Sequence, residues 1–79
     1  MAVNHFLLLY NLREGRLERL ERFETDVLRA TAAYSELEGT YREREDHANF
    51  EIVLIGADSL ETVKVTHSRY FETRDAVPF

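Results

Sequence analysis

The stretch Gly15-Arg16-Leu17-Glu18-Arg19-Leu20-Glu21-Arg22-Phe23-Glu24-Thr25-Asp26 decides the fold, because two architectures grow from it. Read as helix, Leu20, Phe23, Val27, Ala30, Tyr34, Leu37 and Tyr41 form a heptad-like stripe, with Glu18 and Arg22 paired one turn apart. The result is one helix from Arg16 to Arg44, about 43 Å long and close to twice the span of the strands it must cover. Read as strand, Arg16 to Phe23 is the return arm of a hairpin through Gly15. Its Arg and Glu side chains then mark an edge that discourages further pairing. Thr25 or Asp26 caps a shorter helix that runs to about Arg44. We take the strand reading, since Gly15 suits a hairpin and Glu24-Thr25-Asp26 supplies a fresh helix start. Against it stands the spacing of Leu17, Leu20 and Phe23, which do not alternate.

Upstream, Phe6-Leu7-Leu8-Leu9-Tyr10 is apolar at every position, as a central strand with apolar surroundings on both faces requires. Downstream, Val27, Ala30, Tyr34, Leu37 and Tyr41 share one face of the shorter helix, and Glu43 to Asn49 forms a solvated loop. Phe50-Glu51-Ile52-Val53-Leu54-Ile55 reads as a third strand ending at Gly56. Asp58 or Ser59 caps a last helix with Leu60, Val63, His67, Tyr70 and Phe71 on one face. A competing strand reading of 61–71 draws on Val63 and Val65. Residues 1–72 form a single α+β domain in this reading and 73–79 a C-terminal tail.

The elements read β-β-α-β-α, and a right-handed crossover places the third strand beside the first, in sheet order 2-1-3. With both helices on one face of this three-stranded sheet, the other face is left apolar. That predicts a homodimer, packed sheet to sheet or through the third strand's edge, unless the tail folds back. The alternative is β-α-β-α with one long first helix.

Composition narrows function mainly by exclusion. With 79 residues, 44% hydrophobic and 32% charged, the chain is too apolar for a disordered segment and too charged for a membrane one. It has no cysteine for a disulfide or thiolate site, which leaves oligomerisation as the staple for so small a core. A formal charge of −5 disfavours nucleic acid, and the start lacks a basic signal-type region, so the expected location is the cytoplasm.

No phosphate loop, metal-ligand spacing or nucleophile elbow is present, and no cofactor is expected. His5, Asp58, Ser59, His67, Arg69 and Tyr70 are the candidate interaction or ligand residues. Asp58, Ser59, His67 and Tyr70 hold the ingredients of acid/base chemistry around a pocket, while Arg69 and Tyr70 are types enriched at protein contacts. Gly56-Ala57-Asp58-Ser59, a strand end before a helix start, is an ordinary cap more often than an anion site. Arg13, Arg16, Arg19 and Arg22 are what a nucleic-acid regulator would present. The balance favours a non-catalytic, acidic, self-associating module that binds another protein, ahead of a small-ligand protein or enzyme.

Asn4-His5-Phe6-Leu7-Leu8-Leu9-Tyr10, Val53-Leu54-Ile55-Gly56-Ala57-Asp58-Ser59-Leu60 and Thr66-His67-Ser68-Arg69-Tyr70-Phe71 together resemble small proteins of actinobacteria and their bacteriophages with no known activity. The resemblance spans most of the chain and implies a strand after Gly15. It carries over no functional residue. A phage origin implies an accessory protein acting on a host component, in the host cytoplasm.

Overall fold

Phe6 to Tyr10 are buried at every position because β1 (Asn4–Asn11) is the middle strand of a three-stranded sheet. The computed structural model describes residues 3–72, so the expected tail at 73–79 lies outside the described residues. β1 pairs antiparallel on one side with β2 (Arg16–Glu24) and on the other with β3 (Phe50–Ala57), in the expected order β2-β1-β3. Between β2 and β3 runs helix α1 (Val27–Arg42), and β3 leads into helix α2 (Leu60–Thr66). A 3-10 turn, His47–Asn49, precedes β3. The expected last helix reaching Phe71 instead stops at Thr66, because His67 leaves the helical conformation at φ −127° and ψ 46°. A separate 3-10 turn, Ser68–Phe71, follows, and the competing strand at 61–71 does not form. Asp26 caps α1 by accepting the Arg29 N–H at 3.1 Å, and Ser59 caps α2 by accepting that of Thr62 at 3.2 Å. α1 ends at Arg42, two residues before the expected boundary.

The contested stretch is a strand, and the alternative of one long first helix is not what forms. Its awkward spacing has a structural cause. Tyr10 faces Leu17 and Leu9 faces Arg19, so Glu18 is an extra, unpaired residue in β2, a β-bulge. The insertion resets the alternation, so Leu17 and Leu20, three apart in sequence, pack against the same core. Phe23 falls on the other face, and a second register shift there ends the ladder at Glu24, whose φ of 52° turns the chain toward α1. Buried Asn11 pins the first bulge: its Nδ2 donates to the Glu18 carboxylate at 2.9 Å. Its Oδ1 accepts the Glu14 N–H at 2.9 Å, and Gly15, at φ 68°, closes the hairpin with an N–H bond to the Asn11 carbonyl.

The expectation that both helices share one face of the sheet is corrected by the packing. Leu7, Leu9 and Phe23 meet Ala30 and Leu37 of α1 in one core, while Phe6, Leu8, Tyr10 and Ile55 meet Val63 of α2 and Tyr70 in the other. Neighbouring residues of a strand point to opposite faces, so the helices lie on opposite sides of β1. Each face of the sheet therefore has its own helical cover, and a sheet-to-sheet dimer loses the apolar face that motivated it.

The carboxyl of Glu18 sits below the usual carboxylate range, held there chiefly by the Asn11 amide, with burial opposing and Arg16 assisting. A carboxyl depressed in the fold stabilises it fully above the unfolded value, and the contribution is lost as pH falls through the folded one. Asn11→Ala should lower stability by about 1 kcal/mol at neutral pH, or about 4–8 °C in Tm. The gap from wild type should narrow below about pH 4, without closing because the Glu14 bond is also gone. Thermal melts at neutral and acid pH measure both effects.

Candidate functional site

The six candidate residues separate into two groups at opposite ends of the sheet. His5 lies opposite Gly56 near the start of β1, the end at which Asn4 Nδ2 donates to the Asp58 carbonyl at 2.9 Å. Asp58, which is exposed, and Ser59 fold onto the first turn of α2, where both side chains bond the Thr62 hydroxyl and Ser59 also takes the Thr62 N–H. Arg69 and Tyr70 sit beside Tyr10 and Glu51, which face each other across β1 and β3. Five strand positions separate His5 from Tyr10, about 17 Å at the usual rise. The shallow depression lined by Thr66, His67, Ser68, Arg69 and Tyr70, about 340 Å³, includes neither Asp58 nor Ser59. The pocket that acid/base chemistry needs is therefore not assembled from these four side chains.

What the second group builds is a polar clasp over a core. Arg69 donates to both Glu51 carboxylate oxygens, at 2.8 and 2.9 Å, and to the Tyr70 hydroxyl, which itself donates to Glu51 at 2.9 Å. The Tyr70 ring stands edge-on to Tyr10 with centroids 5.3 Å apart, and His67 stacks near-parallel to it at 6.3 Å. Burial, then the Glu51 carboxylate, pushes the Tyr70 phenol above its ordinary value, with Arg69 only partly offsetting them. A phenol kept neutral and engaged on both sides is suited to fastening the 3-10 turn to β3.

The arginines do not form a phosphate-binding face. Arg19 lies opposite Leu9 and Arg22 opposite Phe6, which places them on different sides of the sheet. Arg16 and Arg19 are also ion-paired, to Glu18 and Glu21 respectively. An open groove of about 650 Å³ between α1 and β2 mixes Arg19, Arg29 and Arg44 with Glu21 and Glu36. Arg44 is bidentate to Asp46, and its guanidinium covers the rings of Tyr41 and Phe50 at 4.7 and 5.1 Å, so part of the expected solvated loop seals the α1 core. Among the described residues, no three His, Asp or Glu side chains are grouped to hold a metal, and no helix is long and apolar enough to cross a membrane.

The two sheet edges differ sharply. β2 carries Arg16, Glu18, Arg19, Glu21, Arg22 and Glu24 and is bulged, whereas β3 carries only Glu51, which the clasp occupies. The Leu12 N–H donates to the Asn49 carbonyl at 2.7 Å, continuing the register in which Asn11 faces Phe50. In an antiparallel ladder such exchanges recur at every second pair, so Tyr10 with Glu51, Leu8 with Val53 and Phe6 with Ile55 are the bonded pairs. The backbone groups of Ile52, Leu54 and Gly56 therefore point away from β1, and among the described residues no strand lies beyond them. Sequence reasoning names this edge only as one of two routes to a homodimer and places its candidate site on polar side chains; the edge's own signal is a strand of eight residues with one charge.

No family model, curated protein or solved structure matches the chain. Three substitutions test the clasp. Tyr70→Ala should cost about 3–5 kcal/mol through the lost ring, and Tyr70→Phe, which removes only the hydroxyl, about 1 kcal/mol. In an absorbance titration two tyrosines should ionise late: Tyr34, raised by burial and Glu38, and Tyr70. Glu51→Gln should bring only Tyr70 down, by removing a charge that opposes its phenolate.

Proposed function

We propose that the protein is a small, acidic, non-catalytic interaction module that works by strand pairing at the open edge of β3. The observation that carries this reading is the contrast between the edges: β2 is charged and bulged, while β3 is straight in register and nearly uncharged. Natural sheets blunt the edges they leave unused, and an extended segment added to an open edge gains main-chain hydrogen bonds in register. The failure of the polar candidates to converge removes the main support for a pocket-based activity. In line with the resemblance in sequence, we place the module in the cytoplasm, the host cytoplasm for a phage-encoded chain, acting on another protein.

Ile52→Pro deletes an N–H that points outward and leaves the β1 ladder intact, so it should abolish association while the circular dichroism spectrum is kept. Where that variant unfolds, Leu54→Lys, which charges the same edge, replaces it. Association with any partner, self or other, is compared for wild type, the edge variant and Arg22→Ala on the opposite edge. Loss in the β3 variant alone supports the reading, and binding that survives it sinks the reading.

A further inference from the structure

The strand that β3 takes up is constrained by symmetry, by the phase of its hydrogen bonds and by what lies beside it. A two-fold axis that sets two copies of one edge strand side by side and antiparallel must stand normal to the sheet. It keeps α1 of both copies on one face, so residues that face each other across the junction must point to the same side. Near the middle of β3 the axis then passes through Ile52, Val53 or Leu54, and a junction centred between two residues is excluded.

The outward backbone groups belong to Ile52, Leu54 and Gly56, with the Phe50 carbonyl in the same phase; the Phe50 N–H is already given to the His47 carbonyl. Centred on Val53, Ile52 and Leu54 exchange both bonds and the Phe50 carbonyl accepts the Gly56 N–H, all inside β3. Centred on Leu54, Phe50 would face Asp58, which lies beyond the strand and whose carbonyl is occupied by Asn4; centred on Ile52, Gly56 would face Ala48, which lies in the 3-10 turn before the strand. We infer that the partner is β3 of a second copy, paired antiparallel about a two-fold axis through Val53 to give one continuous six-stranded sheet. This inference rests on the edge-pairing reading above.

Two further features agree with this register. Val3 is 52% exposed and lies over Gly56, close enough that a Cβ there would come within 3.1 Å of its Cγ1. Phe50 and Ile52 form a wall of an open hollow of about 220 Å³ at the other end of β3. Pairing Phe50 with Gly56 of the second copy brings the apolar Val3 of that copy to this hollow. It also sets an aromatic ring across a glycine, a pairing that supports edge glycines in sheets. Charge agrees as well: each chain carries −5, yet β3 adds little repulsion in this register, since its one charge, Glu51, faces Ile55 and is already bound to Arg69.

The chain has no cysteine, so single cysteines report the register directly. Val53 faces its own copy at a non-bonded pair, where Cα atoms lie about 4.5 Å apart, within disulfide range. Val53→Cys should cross-link to a covalent dimer under mild oxidation, and Leu54→Cys should remain largely uncross-linked. Wild type should scatter light at twice the chain mass and dissociate on dilution, and Val3→Ser should weaken the dimer about three- to tenfold. Preferential cross-linking at Leu54 overturns the register. A wild-type chain that stays monomeric overturns the second copy. If that monomer still binds another protein and loses it with Ile52→Pro, the edge reading survives without this inference; if Ile52→Pro changes neither measurement, both fall.

Discussion

The rest of the fold depends on β1 being bonded along both edges and covered on both faces. Phe6, Leu7 and Leu8 are at most 2% exposed, and successive members of the run serve different cores. Phe6, Leu8 and Tyr10 need the cover that α2 and Tyr70 supply; Leu7 and Leu9 need α1. Neither helix can be lost without wetting one side of the same strand. In a domain this small, a single truncation such as Leu8→Ala, about 2–5 kcal/mol, removes a large share of the roughly 5–15 kcal/mol that holds such domains folded.

Strand order was legible from the crossover rule and the element starts from local chemistry, whereas the end of the last helix, at Thr66 and not Phe71, was not. Gly15 allowed the hairpin, Asp26 and Ser59 offered their side chains as caps, and an apolar run without alternation identified the middle strand. The spacing that argued for a helix was a bulge in disguise. One inserted residue changes a period of two into a gap of three, which in a single sequence has the look of a helical stripe. What discriminates is Asn11, a polar residue at the end of an apolar strand, placed to receive the inserted Glu18.

The placement of the helices was legible only in part. A crossover rule constrains α1, which joins the parallel pair β2 and β3, but nothing comparable constrains α2, because no strand follows it. Its side is set by the short turn Asp58-Ser59 and by the clasp of Arg69 and Tyr70 on Glu51, a contact between residues 18 and 19 positions apart. The five-residue apolar run nevertheless held the answer. A strand buried on both faces, in a chain with two amphipathic helices, is satisfied most economically by one helix on each side. The candidate residues failed for a related reason. His5, Asp58 and Ser59 belong to one end of the strands and His67, Arg69 and Tyr70 to the other, a separation set by register rather than by residue type.

Covering both faces moves the question of partnership from faces to edges. An exposed face is costly because of its apolar area; an open edge costs little in water, whose molecules satisfy its N–H and C=O groups. An edge therefore gives no stability argument for a partner, only an argument from design. β2 shows what this chain does with an edge that stays in solvent: charges of both signs, a bulge, and Phe23 drawn into the core. β3 shows none of these devices, and its one acidic side chain is folded down onto Arg69 and Tyr70. The same clasp that fastens the C-terminal turn thus keeps the only charge of β3 engaged on its own face, so one cluster joins the internal packing of the domain to the character of its open edge.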